Sequence, residues 1–183
     1  MMGRWWLRLL WVGIACVVGV PATAADDTPT LIIPALNVKS PILPVSLKVF
    51  PDETITWDTA QLTTEVGYFE GTSWLGESNT VLGGHSQLTN GAPSIFYHLH
   101  RLRVGDKVVV NHVGRNFVYI VAEVFEVHQA DLSVLYPTDD EVLTLITCDV
   151  DSYRHYQYDR RVVVVAHRLD VSSFANREIV ARP

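Results

Sequence analysis

The chain has 183 residues, 48% hydrophobic and 19% charged, a mixture that suits one globular domain and is too apolar for a disordered protein. Its 14 Lys and Arg against 20 Asp and Glu give a net charge of -6, which supplies no basic footprint for a phosphate backbone and argues against a nucleic-acid partner.

The N-terminus reads as an export segment. Arg4 and Arg8 precede an apolar run over residues 9–20, and Pro21, Ala22, Thr23 and Ala24 form a small-residue site of the kind a signal peptidase accepts. Extended by Trp5, Trp6 and Leu7, the same stretch approaches the roughly 20 residues of a spanning helix, with Arg8 able to snorkel. Residues 1–24 are therefore a cleaved signal peptide or a retained membrane anchor. Either way the remainder is extracytoplasmic, membrane-associated or secreted. Residues 25–30, polar around Pro29, read as a linker to a domain over residues 31–168, followed by a tail over residues 169–183.

Within the domain, short runs rich in Val, Ile, Leu, Phe and Tyr lie at residues 31–33, 45–50, 64–69, 80–82, 107–111, 117–127, 142–147 and 161–166. Asn-Gly, Gly-Asp and Pro-containing turns separate them, so the pattern predicts an all-β domain of eight strands, a closed barrel or a sandwich. Two connectors carry helical spacing: residues 56–62 around Trp57 and Ala60, and residues 94–102, where Phe96, Leu99 and Leu102 recur three apart after Pro93 and Ser94. The unbroken run Val162, Val163, Val164, Val165 predicts a central strand buried on both faces.

Cysteine usage narrows the chemistry. Cys16 falls inside the export segment, so Cys148 is the only thiol in the domain and no internal disulfide can form. Such a residue is either a small buried hydrophobe or a reactive thiol. Cys148 ends a buried strand just before the polar loop of residues 149–159, where a nucleophile would be rigidly held yet open to a surface. Of seven histidines, His85 stands out because Val81-Leu-Gly-Gly-His85 is a strand ending in two glycines, which permit close approach by another chain. A histidine projecting there can supply the proton donor and acceptor that acyl transfer needs beside its nucleophile. Arg160 and Arg161 open the strand that should return antiparallel beside the cysteine strand. They point to opposite faces, so only one can face the thiol, to lower its pKa, bind a carbonyl or stabilise an oxyanion. The alternative is a strand-entry charge paired with Asp149, Asp151 or Asp159.

Gly84-His85, the segment Thr144-Leu-Ile-Thr-Cys148, and Arg161 heading a valine-rich strand together resemble the sortase family of cysteine transpeptidases. Ile32-Ile33-Pro34 with Val38, the stretch from Phe96 through Leu99 and Leu102 to Gly105 and Asp106, and residues 135–138 extend the likeness over about residues 31–168. The resemblance implies an eight-stranded β-barrel with short connecting helices. It implies Cys148 as nucleophile, His85 as general acid and base, and Arg161, five residues before Ala166, as the residue that orients the peptide and stabilises the oxyanion. The implied partners are surface proteins bearing a C-terminal Leu-Pro-x-Thr-Gly-like sorting motif and an amine of the cell wall or of a pilin. Thioester chemistry of this kind needs no ATP, metal or other cofactor. His85 is followed by Ser86, where several sortase groups have Arg.

Three other readings are weighed against it. A Cys-His peptidase of papain type would place its cysteine before its histidine and add a helical half. A catalytically silent surface-assembly barrel would have little reason to keep an exported thiol together with His85 and Arg161. Zinc binding lacks His spacing, and calcium binding by Asp139, Asp140 and Glu141 lacks a legible ligand set. Tyr153, His155, Tyr156 and Tyr158 in the loop after Cys148 are read either as an apolar rim for substrate or as packing of the barrel end.

Overall fold

The computed structural model describes residues 27–169. The export segment of residues 1–24 and nearly all of the C-terminal tail lie outside the described residues. Among those described, no helix is long and apolar enough to cross a membrane.

Strand β1 (Thr30–Ile33) pairs antiparallel with β2 (Val38–Val45) through the turn at Pro34–Leu36. A small ribbon follows, β3 (Leu47–Val49) against β4 (Ile55–Trp57). Then come β5 (Val66–Phe69), β6 (Asn79–Gly83), β7 (Lys107–His112), β8 (Arg115–His128) and β9 (Val142–Cys148). After Cys148 the chain makes a second ribbon, β10 (Tyr153–Arg154) and β11 (Gln157–Tyr158), and ends in β12 (Arg160–Arg168). Eight of these strands close a barrel in the order β1-β2-β5-β6-β9-β12-β8-β7. The pairs β2–β5 and β6–β9 are parallel and the others antiparallel.

Alternation explains the closure. Leu31, Ile33, Leu82, Val108, Val110, Leu143, Leu145, Val164 and Ala166 point inward and join Phe96, Leu99 and Tyr119 in one core. β12 lies between β8 and β9, and Val162, Val163 and Val164 are all buried, as a central strand requires. Its position matters for the site, because β12 brings its first residues against the last residues of β9.

Two sequence expectations are corrected. Residues 45–50 do not form a barrel strand: the second barrel strand is Val38–Val45, and Leu47–Val49 belongs to the outer ribbon. Pro41 and Pro44 disguise that strand, since proline weakens a strand reading. Here Lys39 and Pro41 point outward while Val38, Ser40 and Ile42 point in. The buried Ser40 hydroxyl accepts from Val66 N at 3.1 Å and so helps start β5. The short connecting helices are also absent from the described residues as helices proper. Residues 56 and 57 end β4, and the helical structure of residues 56–62 and 94–102 is confined to three-residue 3-10 turns at Thr59–Gln61 and Leu99–Arg101. The spacing of three at Phe96, Leu99 and Leu102, all buried, fits the three residues per turn of that tighter winding.

Candidate active site

The outer face of the barrel carries a groove of about 300 Å³. Its floor is Gly83 and Ile146, side by side in the β6–β9 register, and it ends at Cys148 and Arg161. Thr56, Trp57, Thr59 and Leu62, from the segment between β2 and β5, line it together with Leu132 and Leu135 from the connection between β8 and β9.

Cys148 and Arg161 are direct partners in the antiparallel β9–β12 register. Cross-strand partners project to the same side of a sheet with Cα atoms about 5 Å apart, so backbone pairing starts the two side chains next to each other on one face. Cys148 is half-buried. Burial pushes its thiol above the ordinary range, and the Arg161 charge pulls in the opposite direction without overcoming it.

The two arginines divide their work. Arg160 donates to the buried Asp149 through Nε at 3.0 Å and Nη2 at 2.7 Å, and also meets Glu126 at 2.9 Å. Asp149 in turn caps the 3-10 turn that starts the following loop by accepting from Asp151 N. Arg161 donates from Nη1 to the carbonyls of Tyr158 at 2.7 Å and Arg160 at 3.1 Å, and among the described residues no carboxylate forms an ion pair with it. Its orientation is fixed by neutral groups and its charge is left facing the groove end.

His85 reaches the same groove because β6 ends in glycine. A Cβ on Gly83 would stand 2.5 Å from the Phe69 ring, and one on Gly84 would stand 2.8 Å from the Phe96 ring, so both positions need glycine for close approach. Gly84 N donates to Ile146 O at 3.2 Å, and the Thr147 hydroxyl donates to Gly84 O at 2.7 Å. These bonds tie the backbone just before His85 to the end of β9. The ring is half-buried, and its Nε2 lies 3.3 Å from Thr59 O.

The three sequence candidates thus line one groove. The remaining histidines do not: His98, His100, His128, His155 and His167 are exposed, and His112 packs edge-on against Trp74. Tyr153, His155, Tyr156 and Tyr158 are not among the groove residues. Tyr153 and Tyr158 pack on each other at 4.8 Å, the Tyr158 hydroxyl donates to Gln87, and Tyr156 is 93% exposed. The aromatic surface of the groove comes instead from Trp57 and Phe69, stacked at 4.8 Å. Sequence reading missed both, because Trp57 was assigned to a helix and Phe69 to the generic strand pattern.

A family model described as a sortase domain matches residues 31–169. Sortase A of Listeria monocytogenes is 26% identical over 113 residues, which covers 62% of this chain and 48% of that protein, so the chain spans about half the length of this relative. Sortase C-1 from Actinomyces oris superposes with a TM-score of 0.63 at 26% identity, covering 80% of this chain and 76% of the other. Sortase A from Corynebacterium diphtheriae gives a TM-score of 0.63 at 25% identity, covering 80% and 62%.

Proposed function

The chain belongs to the sortase family, and from that premise we propose that it is an extracytoplasmic cysteine transpeptidase acting on proteins with a C-terminal sorting motif of the Leu-Pro-x-Thr-Gly kind. The observation that carries this reading is the in-register pairing of Cys148 with an Arg161 whose charge is unclaimed by any carboxylate among the described residues, in a groove that His85 also lines.

In the first half-reaction His85 takes the Cys148 proton, and the sulfur attacks the scissile carbonyl. Arg161 donates hydrogen bonds to the oxygen that becomes negative, with a planar fork suited to a carbonyl and its tetrahedral oxyanion. The intermediate collapses with cleavage of the C–N bond. The imidazolium returns its proton to the leaving amine, and the upstream polypeptide remains as a thioester on Cys148. In the second half-reaction an amine of the cell wall or of a pilin gives a proton to His85 and attacks the thioester. A new amide forms and the thiol is regenerated. One amide replaces another, so the exchange is nearly balanced in energy.

The apolar wall of Trp57, Leu62, Phe69, Leu132 and Leu135 suits the leucine and proline of such a motif. The test offers the chain and its Cys148→Ala variant internally quenched sorting-motif peptides with an added oligoglycine or diaminopimelate-type amine, followed by mass spectrometry. The expected result is a thioester adduct and an amine-ligated product with the parent chain only. Hydrolysis without ligation, at every amine tried, would replace the transpeptidase by a peptidase. Inertness of a folded chain toward the whole pool would favour a silent barrel.

A further inference from the structure

Acid–base histidines are commonly held by a carboxylate on the ring nitrogen that faces away from the nucleophile. Among the described residues no carboxylate is hydrogen-bonded to His85; the partner of its Nε2 is a main-chain carbonyl, Thr59 O at 3.3 Å. A carbonyl can only accept. The bond therefore requires the proton on Nε2, and the neutral ring keeps Nδ1 as its basic nitrogen.

That carbonyl is held from several sides. It belongs to the 3-10 turn Thr59–Gln61, where it also accepts from Leu62 N at 3.0 Å. Asp58 caps the turn by accepting from Ala60 N at 3.3 Å through Oδ1, and Lys48 of β3 donates to its Oδ2 at 2.7 Å. Gln61 Nε2 donates to Pro44 O at 3.0 Å, which ties the turn to the end of β2. Just before the turn, Trp57 stacks on Phe69 and donates to Glu70 O at 3.0 Å, and just after it Leu62 is buried. The outer ribbon, which contributes nothing to the barrel ladder, thereby braces one peptide group against His85.

We propose that the Thr59 carbonyl is the positioning group for His85, fixing the Nε2–H tautomer so that Nδ1 exchanges the proton, with the Lys48–Asp58 pair holding the turn in place. The proposal rests on the transpeptidase reading for its catalytic consequence, while the tautomer itself does not. When His85 becomes an imidazolium the same contact becomes charge-assisted and strengthens, so the carbonyl helps most when the ring carries the proton taken from Cys148.

The test uses the full chain labelled with ¹⁵N-histidine, with His85→Gln identifying the ring signals. Long-range proton–nitrogen correlation at a pH where the ring is neutral should show His85 as the Nε2–H tautomer. Asp58→Ala should mix the two tautomers and lower kcat toward a quenched Leu-Pro-x-Thr-Gly peptide on the order of tenfold. KM should change little, and Asp58→Asn, which keeps the Oδ1 acceptor, should recover most of the loss. Lys48→Met should give a smaller change in the same direction and serves as the second variant if Asp58→Ala folds poorly. An Nδ1–H tautomer in the parent chain, or a tautomer ratio unmoved in both variants, would overturn the proposal. An Nε2–H tautomer in a chain without Cys148-dependent turnover would instead strike the transpeptidase reading and leave the contact without a catalytic role.

Discussion

The two ends of β12 carry arginines with opposite fates. Arg168, at the end away from Cys148, is absorbed by its surroundings: it lies over the Phe117 ring at 4.7 Å and the Tyr119 ring at 5.5 Å, with Glu141 at 3.9 Å. Glu141 is engaged as well, accepting from the buried Tyr119 hydroxyl at 2.6 Å and from Gly76 N at 3.1 Å. Burial and that carboxylate drive the Tyr119 phenol well above the ordinary range, so it stays protonated and donates to Glu141. Among the described residues Arg161 has neither a carboxylate nor an aromatic face, only carbonyls that aim it. Charge committed to neighbours closes a barrel end, and charge held in place without a counterion is available to a reacting group. The same contrast separates adjacent residues, since Arg160 takes up Asp149 and Glu126 and leaves Arg161 free of them.

The comparison breaks most visibly in turnover. Arg161→Lys should cost about 10²- to 10³-fold in kcat/KM, because an ammonium cannot present two parallel donors to the oxyanion. Arg168→Lys should leave turnover unchanged. An active Arg161→Lys enzyme in the quenched-peptide assay would refute the oxyanion role.

A second effect is on the thiol itself. Because burial holds the Cys148 pKa up and Arg161 is what opposes it, Arg161→Gln should raise that pKa further and shrink the thiolate fraction at any fixed pH. Alkylation by iodoacetamide at neutral pH should then be slower than in the parent chain, and its pH profile should move to higher pH. An unshifted profile would show that the guanidinium does not sense the sulfur.

Smaller effects concern stability. Gly83→Ala should lower it by about 1–3 kcal/mol in denaturant titration, since the new methyl must displace the Phe69 ring and its Trp57 partner. Arg160→Gln should lower the denaturant midpoint slightly by leaving the buried Asp149 carboxylate without its cation, with less loss of turnover than at Arg161. At the opposite end Tyr119→Phe should cost about 1 kcal/mol for one lost hydrogen bond, with the peptide assay unaffected.

The legible part of the site was the part set by strands. Cys148 at a strand end, His85 after two glycines and Arg161 at the next strand entry are local signals, and antiparallel return of β12 along β9 is enough to bring two of them together. The opposite faces of Arg160 and Arg161 were also readable from period-two alternation. Alternation did not say which of the two faces the thiol, because that depends on the register and a slip of one residue would exchange them; only the family resemblance singled out Arg161, which the register pairs with Cys148.

The sequence by itself determined an all-β domain, a central valine strand, and three residues whose types suit acyl transfer, because alternation, turn residues and a lone thiol are properties of neighbours in the chain. Only the tertiary structure decided that β2 runs through two prolines, that Trp57 and Phe69 wall the groove, and that Thr59 O meets His85 across 26 positions. Those contacts depend on how the connections fold over the barrel, and nothing local encodes where a loop carbonyl or a ring on an outer ribbon comes to rest.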